Sequence, residues 1–488
     1  VLTRYAVLGL VAVSIVIASG CGGGGGTVAT GAVEGYVFAS TSRSLDVGRQ
    51  ATPPPGFEGV NGATVAIGSR QTTTRNDSRG EPGYFFLDAV PVGAQTLTVT
   101  LTGSDPVSKQ VTITAGQTAQ VGDVLVGGKY WTFMVYLDAD NDLEHYGILN
   151  MNQMEEVGSD SDINIVVQMD RHESYDDSNG DWHTTRRYYV TQDQDSAVIN
   201  STLIEDLGEL DMADPENLHD FVEWAMENYP ASHYCLVIWN HGSGWVPKGG
   251  FDATRAVVYD DTSGSIMSMP ELRLALTGFD LDMVAFDACY MGMLEVAYEI
   301  AQSCDYVVAS EESPPGAGYP YDQFLSVLAA TPSMDAETFG RQIVDDYVEA
   351  YYSVTESLIS TANLEPLAGA VGSLAQALLS DFPSHQAAYE TARDTCQAFS
   401  GASYYKDLYD FCTVLREASD SSAVDTAAQA VRAAVTDAVL HEAHGGSSLA
   451  DSHGVSIYIP GRSGEYFLGY TDLRFTQNHP NWWSLIRP

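Results

Sequence analysis

Two apolar runs end on residues capable of nucleophilic chemistry. Leu236–Trp239 runs into Asn240-His241-Gly242-Ser243-Gly244-Trp245, and Val284–Phe286 runs into Asp287-Ala288-Cys289-Tyr290-Met291-Gly292. Each run delivers one reactive side chain just beyond its end. A thiol beside an imidazole is the usual means of making a thiolate near neutral pH. The imidazolium can then protonate a leaving amine. If the two runs are neighbouring strands, His241 and Cys289 face each other across the switch crevice at the carboxyl ends of a sheet. Gly242 allows close backbone approach to a substrate, and its N–H with that of Cys289 forms a candidate oxyanion hole. Taken singly, a cysteine or histidine at a strand end is more often a buried structural residue, so the pair needs support from the rest of the chain.

The elements that must position this pair are legible as pattern. After Gly128, short apolar runs recur at Trp131–Leu137, Ile163–Met169, Cys235–Trp239, Met283–Phe286, Tyr306–Ala309 and Val455–Ile459. Such runs suit strands buried on both faces. Helical patterns lie between them. Phe339, Ile343 and Tyr347 recur every fourth residue behind a cap expected at Ser333, and Val424, Ala428, Val431 and Val435 share one face. Alternating strand and helix predicts an α/β fold, a mainly parallel sheet with helices on both faces. No internal repeat is visible. Residues 32–127 read differently. Short period-two segments, such as Leu97, Val99 and Leu101 and then Val111 and Ile113, are punctuated by Asn61-Gly62, Arg79-Gly80 and Gly103-Ser104. This predicts a small all-β sandwich preceding the α/β domain of residues 128–488.

The chain has 488 residues, 44% hydrophobic and 18% charged, which is globular rather than disordered. With 22 basic against 65 acidic residues the formal charge is −43, which repels phosphate. A nucleic-acid partner and a polybasic membrane-surface binder are therefore excluded. Residues 1–20 have the pattern of an export signal, with Arg4 before an apolar stretch too short to span a bilayer. Ala18-Ser19-Gly20-Cys21 is similar to a bacterial lipobox, which implies cleavage before Cys21, its lipidation, and a membrane-anchored lipoprotein of the bacterial cell envelope. Residues 21–31 then supply a glycine-rich tether. The remaining cysteines, Cys235, Cys289, Cys304, Cys396 and Cys412, are odd in number and contain no CxxC pair. At least one free thiol follows if Cys21 is lipidated.

The motifs extend beyond the His–Cys pair. Trp131–Leu137 with Asp140-Asn141-Asp142-Leu143-Glu144, Leu236–Gly242, Phe286–Gly292 with Glu295, Ala309–Glu312 with Pro315-Gly316-Ala317-Gly318-Tyr319, and Gly454–Pro460 occur in one order. Together they resemble the blocks of the clostripain-like C11 cysteine peptidases, of the caspase-fold clan, with Gly454–Pro460 as the last core strand. The resemblance implies an endopeptidase cutting after Arg or Lys, with Cys289 as nucleophile, His241 as acid and base, and Asp287 in the pocket for the basic residue. Ala317 stands where a second acidic pocket residue is common, and Tyr319 where Trp is commoner. The alternative for Asp287 is a structural hydrogen-bond acceptor. Family members are often cut between the histidine and cysteine blocks. That interval holds Lys248 and the Arg255-Ala256 bond in a glycine-rich stretch, and Arg255-Ala256 is the better match to a self-processing site. Gly83–Leu87 through Val90-Pro91-Val92-Gly93 to Leu97-Thr98-Val99 looks like the carboxypeptidase regulatory-like family, which implies a spacer or adhesion module.

No cofactor is required by these motifs. Calcium is the one ion left open, because some members of the family use it. Asp138, Asp140 and Asp142 have calcium-loop spacing, but Leu143 and Leu149 stand where such a loop needs Gly and Glu. Asp176, Asp177, Asn179 and Asp181 around Gly180 form a looser acidic loop, with a solvated turn as the simpler reading. Two further functions stand beside the peptidase: a non-catalytic surface module that binds or adheres, and a transpeptidase whose thioester is captured by an amine.

Overall fold

The computed structural model describes residues 29–40, 57–102, 104, 106–126, 129–160, 162–245, 257–461 and 468–487. The described residues divide into two compact units, one of residues 29–37 and 59–126, the other of residues 129–487 with 38–40 and 57–58.

In the larger unit the first apolar run lies within the strand Lys129–Ala139. It belongs to a nine-stranded sheet. The order across that sheet is Thr202–Gly208, Thr185–Tyr189, Ile163–Arg171, Lys129–Ala139, Ala231–Trp239, Leu281–Asp287, Cys304–Ala309, Thr355–Ser360, Val439–His444. The strands from Ile163–Arg171 to Cys304–Ala309 are parallel. Antiparallel strands flank them on both sides. This is the mainly parallel sheet that the apolar runs predicted.

Alternation along a strand sends successive side chains to opposite faces, and each face carries its own core. Phe133, Val135 and Leu137 pack with residues of the helices Glu144–Val157, Tyr321–Ala330 and Ala336–Ala350. Met134 and Tyr136 pack with residues of Pro215–Asn228, Met269–Leu276, Leu364–Leu379 and Ser422–Ala438. Phe339, Ile343 and Tyr347 form the buried stripe of their helix, but the cap is Asp335 rather than Ser333. The Asp335 carboxylate accepts from the Thr338 N–H at 2.8 Å, two residues later than the sequence suggested.

One strand lies elsewhere than expected. Ser456–Tyr458 pairs antiparallel with Ala402–Asp407 in a separate three-stranded sheet. The last strand of the central sheet is Val439–His444, whose residues are all half-buried. Its Val-Leu-His-Glu-Ala-His sequence is that of a sheet edge, which carries charge and no apolar run.

In the smaller unit Thr30–Ser40 pairs with Phe57–Gly59, Tyr84–Pro91 and Thr118–Val126. A second sheet has the order Arg70–Thr73, Thr64–Ile67, Gly93–Thr100, Val107–Ile113. Val65 lies opposite Val99 and Ile67 opposite Leu97. These side chains share one core with Val33, Val37, Phe85 and Leu87 of the other sheet, which makes the unit a β-sandwich. Among the described residues no helix is long and apolar enough to cross a membrane.

Candidate active site

The histidine and cysteine strands are direct neighbours, with Ile238 opposite Phe286 and Trp239 opposite Asp287. His241 and Cys289 therefore each follow the last register pair by two residues. Asn240 fixes the departure of the chain from the sheet. Its backbone N–H donates to the Asp287 carbonyl at 3.3 Å. Its side-chain amide donates to the Asp138 carbonyl at 2.8 Å and to Asp138 Oδ2 at 2.7 Å.

His241 is half-buried. Its Nε2 lies 2.7 Å from Asp142 Oδ1, and its ring meets Tyr259 edge-on at 5.8 Å. Tyr259 Oη in turn donates to Ser243 Oγ at 3.0 Å. Gly242 packs onto the cysteine backbone: a methyl group there would lie 2.5 Å from the Cys289 carbonyl oxygen and 2.7 Å from its nitrogen. Only glycine fits at that distance.

The chain turns sharply at Cys289. Tyr290, the next residue, has φ of 61°, a left-handed conformation that L residues adopt at a cost. It is held there by its N–H to the Glu312 carbonyl at 3.3 Å and by its hydroxyl to the Ser400 carbonyl. Cys289 Sγ lies 3.1 Å from Ser313 Oγ. Glu312 holds that serine in place, accepting from the N–H of Ser313 at 2.8 Å and of Ser400 at 2.9 Å.

Exposure separates Cys289 from the other described thiols. It is partly exposed, while Cys235, Cys304, Cys396 and Cys412 are free and buried. Burial pushes the thiols of Cys235, Cys304 and Cys412 up, and that of Cys396 up to about 12. These four are inert at neutral pH.

Asp287 is buried at the end of the cysteine strand. Its Oδ2 accepts from the Tyr319 N–H at 2.9 Å and the Tyr321 hydroxyl at 3.0 Å. Burial pushes its carboxyl up to about 6, and these two bonds pull the other way. Gly318, at φ of 63°, lies against it, so that a methyl group there would be 2.5 Å from Oδ2. Among the described residues no cationic side chain pairs with Asp287. Ala317, in the same loop, accepts at its carbonyl from Asn150 Nδ2 at 3.0 Å. Asn150 also receives the Trp239 indole N–H at 2.8 Å, which ties the loop to the histidine strand.

Cys21, Lys248, Arg255 and Ala256 lie outside the described residues. The switch point differs from the sequence expectation. Strand order reverses between Lys129–Ala139 and Ala231–Trp239, not between the histidine and cysteine strands. It is the Asp142–His241 contact that spans the switch, and Cys289 lies one strand beyond it. Asp142 and Ser313 were missed from sequence as neighbours of the pair. Both follow the carboxyl end of a parallel strand, which is the signal that marks such positions.

The acidic side chains at this edge form two overlapping groups. Oxygens of Asp138, Asp170 and Asp260, and of Asp140, Asp170 and Glu209, lie within 4.8 Å of one another. The Asp176–Asp181 loop is not among them. Asp176 Oδ1 is taken by the Ser178 N–H at 2.8 Å and Asn179 Oδ1 by the Ile199 N–H at 2.7 Å.

The fold built around this sheet is shared with solved C11 proteases. The structure of an inactive zymogen C11 protease from Parabacteroides distasonis aligns with a TM-score of 0.57 at 20% identity, covering 72% of this chain and 98% of that one. A secreted C11 cysteine protease from Bacteroides thetaiotaomicron, solved with an irreversible peptide inhibitor, aligns with a TM-score of 0.54 at 23% identity, covering 74% and 99%. The clostripain family (peptidase C11) matches residues 135–485, and the chain belongs to that family. Clostripain of Hathewaya histolytica is 30% identical over 221 residues, 41% of this chain and 42% of clostripain, so the match spans less than half of that relative.

Proposed function

We propose that the chain is a cysteine endopeptidase that cuts peptide bonds after Arg or Lys. The observation that carries this reading is the Cys289 thiol, partly exposed one strand away from His241 while the other described cysteines are buried. With Nε2–H donated to Asp142, His241 keeps the lone pair of Nδ1 for the thiol proton. The Cys289 thiolate attacks the scissile carbonyl carbon, and the oxyanion takes the N–H groups of Gly242 and Cys289. As the C–N bond breaks, His241 returns the proton to the leaving amine and a thioester remains. Water, deprotonated by His241, then releases the acid and regenerates the thiol. Asp287 supplies the negative charge for a guanidinium or ammonium at P1.

The same reading extends to the flanking segments. Residues 1–20 serve as a lipoprotein signal and Cys21 as the lipidated residue, so the enzyme works at the bacterial envelope from a membrane anchor. The sandwich, similar to carboxypeptidase regulatory-like modules, is a spacer between anchor and peptidase.

The test is turnover of peptides ending in Arg, Lys or a neutral residue before a reporter amine. Wild type should cleave the basic ones, and Cys289→Ala and His241→Ala should lose several orders of magnitude. Iodoacetamide should label Cys289 alone among the described cysteines of the native protein, read by mass spectrometry. Near wild-type turnover in Cys289→Ala would refute the reading. Added amine nucleophile appearing in the product would redirect it to a transpeptidase.

A further inference from the structure

The strand Thr355–Ser360 pairs with Cys304–Ala309, and alternation sends its side chains to two faces. On one face Thr355 bonds to Ser310 Oγ at 3.1 Å and Ser357 to the Gly454 carbonyl at 2.6 Å. On the other, Leu358 shares an apolar core with Tyr319, Phe324 and Tyr347. Glu356 falls on that apolar face and is 1% exposed. Its Oε1 accepts from the Tyr319 hydroxyl at 3.2 Å. The same hydroxyl lies 3.1 Å from the Phe286 carbonyl and has one proton for the two acceptors. Glu356 Oε2 meets no donor, and the buried Tyr347 hydroxyl meets no partner. Among the described residues no Lys, Arg or His pairs with Glu356. The titratable groups acting on it are Tyr319 and Asp287, and Tyr347 feels its charge.

These unpaired groups adjoin Asp287. Tyr319 holds both carboxylates, with its N–H on Asp287 Oδ2 at 2.9 Å and its hydroxyl on Glu356. The Tyr347 ring meets that of Tyr319 edge-on at 5.5 Å, and its hydroxyl is within electrostatic reach of Glu356, Asp287 and Cys289. Thiol, carboxylates and hydroxyl therefore surround one region. Glu356 is the deeper carboxylate, beside the Phe286 carbonyl, one residue further into the sheet than Asp287. A buried polar atom left without a partner is costly unless a ligand supplies one.

A guanidinium carries five donors in a planar fork, more than one carboxylate can take. Asp287 Oδ2 already accepts twice. Resting on the reading that the enzyme cuts after basic residues, we propose that Glu356 and the Tyr347 hydroxyl form the floor of the P1 pocket and pair with the guanidinium of a P1 arginine. Glu356 is then the second acidic residue that Ala317 does not supply, and the pocket favours Arg over the single point charge of Lys. Burial pushes the Glu356 carboxyl well up and Asp287 adds to the rise, while the Tyr319 bond offsets part of it. In the empty pocket Glu356 holds a proton. It releases that proton to solvent as the guanidinium enters, so pairing strengthens with rising pH, above the value of about 6 at which Asp287 is already charged.

The experiment uses the full chain and peptides that differ only at P1, with Arg, Lys or norleucine before the same reporter amine. The ratio of kcat/KM for Arg to that for norleucine cancels the titration of Cys289 and His241. In wild type this ratio should keep rising from about pH 6 to about pH 9. Glu356→Gln should flatten that rise, lower the preference for Arg over Lys, and leave norleucine turnover unchanged. Its KM for Arg should increase about tenfold or more with kcat nearly constant. Tyr347→Phe removes only the hydroxyl and should raise KM for Arg about fivefold. It carries the test if Glu356→Gln does not fold, and an unchanged KM there would then overturn the proposal. An unchanged KM for Arg in folded Glu356→Gln, or equal losses on Arg and norleucine, would overturn the proposal and leave basic specificity to Asp287. Wild type with no preference for Arg over norleucine would overturn the basic specificity itself, and this floor with it.

Discussion

Gly242 rests on the backbone of Cys289 so closely that a methyl group would lie 2.7 Å from the cysteine nitrogen. The contact joins the ends of two adjacent strands, and the proposed oxyanion hole depends on it. Gly242→Ala must push the two apart. Overpacking costs ~1–3 kcal/mol, whereas losing one oxyanion donor costs about 10²–10³ in kcat. The expected variant is folded, with a modestly lower Tm and kcat down by about two orders of magnitude. Turnover near the wild-type rate would remove Gly242 from the oxyanion assignment.

Asp142 holds His241 Nε2 at 2.7 Å, but its side chain is 70% exposed. Water therefore screens its charge, and its value is as an acceptor that orients the ring rather than as a buried counter-ion. Asp142→Asn keeps an acceptor oxygen and should retain most activity. Asp142→Ala removes it and should lower kcat about tenfold with KM unchanged. Equal, large losses in both variants would mean that the charge matters more than the geometry. No loss in Asp142→Ala would show that the ring needs no such support.

Asp287 gives a pH signature. Its carboxyl is raised from 3.8 to about 6, so it is charged above that value and neutral below it. If it faces a basic P1 residue, kcat/KM for Arg substrates should fall as pH drops through about 6, and fall more than for neutral substrates. Stability runs the other way. A raised folded-state value favours the native protein most below the unfolded value, and this contribution is lost as pH rises through about 6. The shift of about two units corresponds to ~3 kcal/mol. Asp287→Asn can still accept from Tyr319 and Tyr321. It should be at least as stable as wild type at about pH 8 while losing selectivity for Arg. An equal loss on basic and neutral substrates would make Asp287 purely a clamp for the Gly318–Tyr321 loop.

The parallel centre of the sheet was legible because strands buried on both faces cannot avoid continuous apolar runs. Ile163–Arg171 is buried at every position. The flanking strands were not. Thr202–Gly208 is mostly exposed, and an exposed edge leaves no apolar pattern to read. His241 and Cys289 were visible from local sequence because each follows a buried run. Their supporting residues, Asp142 and Ser313, come from separate strand ends 99 and 24 residues away. Only the strand order brings those ends together. The acidic cluster was hidden for the same reason. Asp140 stood out only for its spacing with Asp138 and Asp142, and Asp170 and Glu209 are unremarkable in a chain with 65 acidic residues until the sheet makes the three neighbours.

Self-cleavage is expected at the Arg255-Ala256 bond. His241 and Cys289 are 289 − 241 = 48 residues apart, and the intervening segment carries Lys248, Gly249, Gly250 and Arg255. Where the described chain resumes, Val257 pairs with Gly242, which itself packs against Cys289. Val257 thus lies one bridge away from the backbone of Cys289. A tethered substrate has a high effective concentration at its own site, so a pocket with one acidic residue suffices to cut it. Purified wild type and Cys289→Ala should be incubated side by side and the N-termini of any fragments read. A new N-terminus at Ala256 in wild type alone is the expected result, with activity rising as the cut accumulates. Arg255→Gln should block the cut and leave the chain folded. A fully active chain that is never cleaved would refute self-processing. Cleavage that persists in Cys289→Ala would assign the cut to another protease.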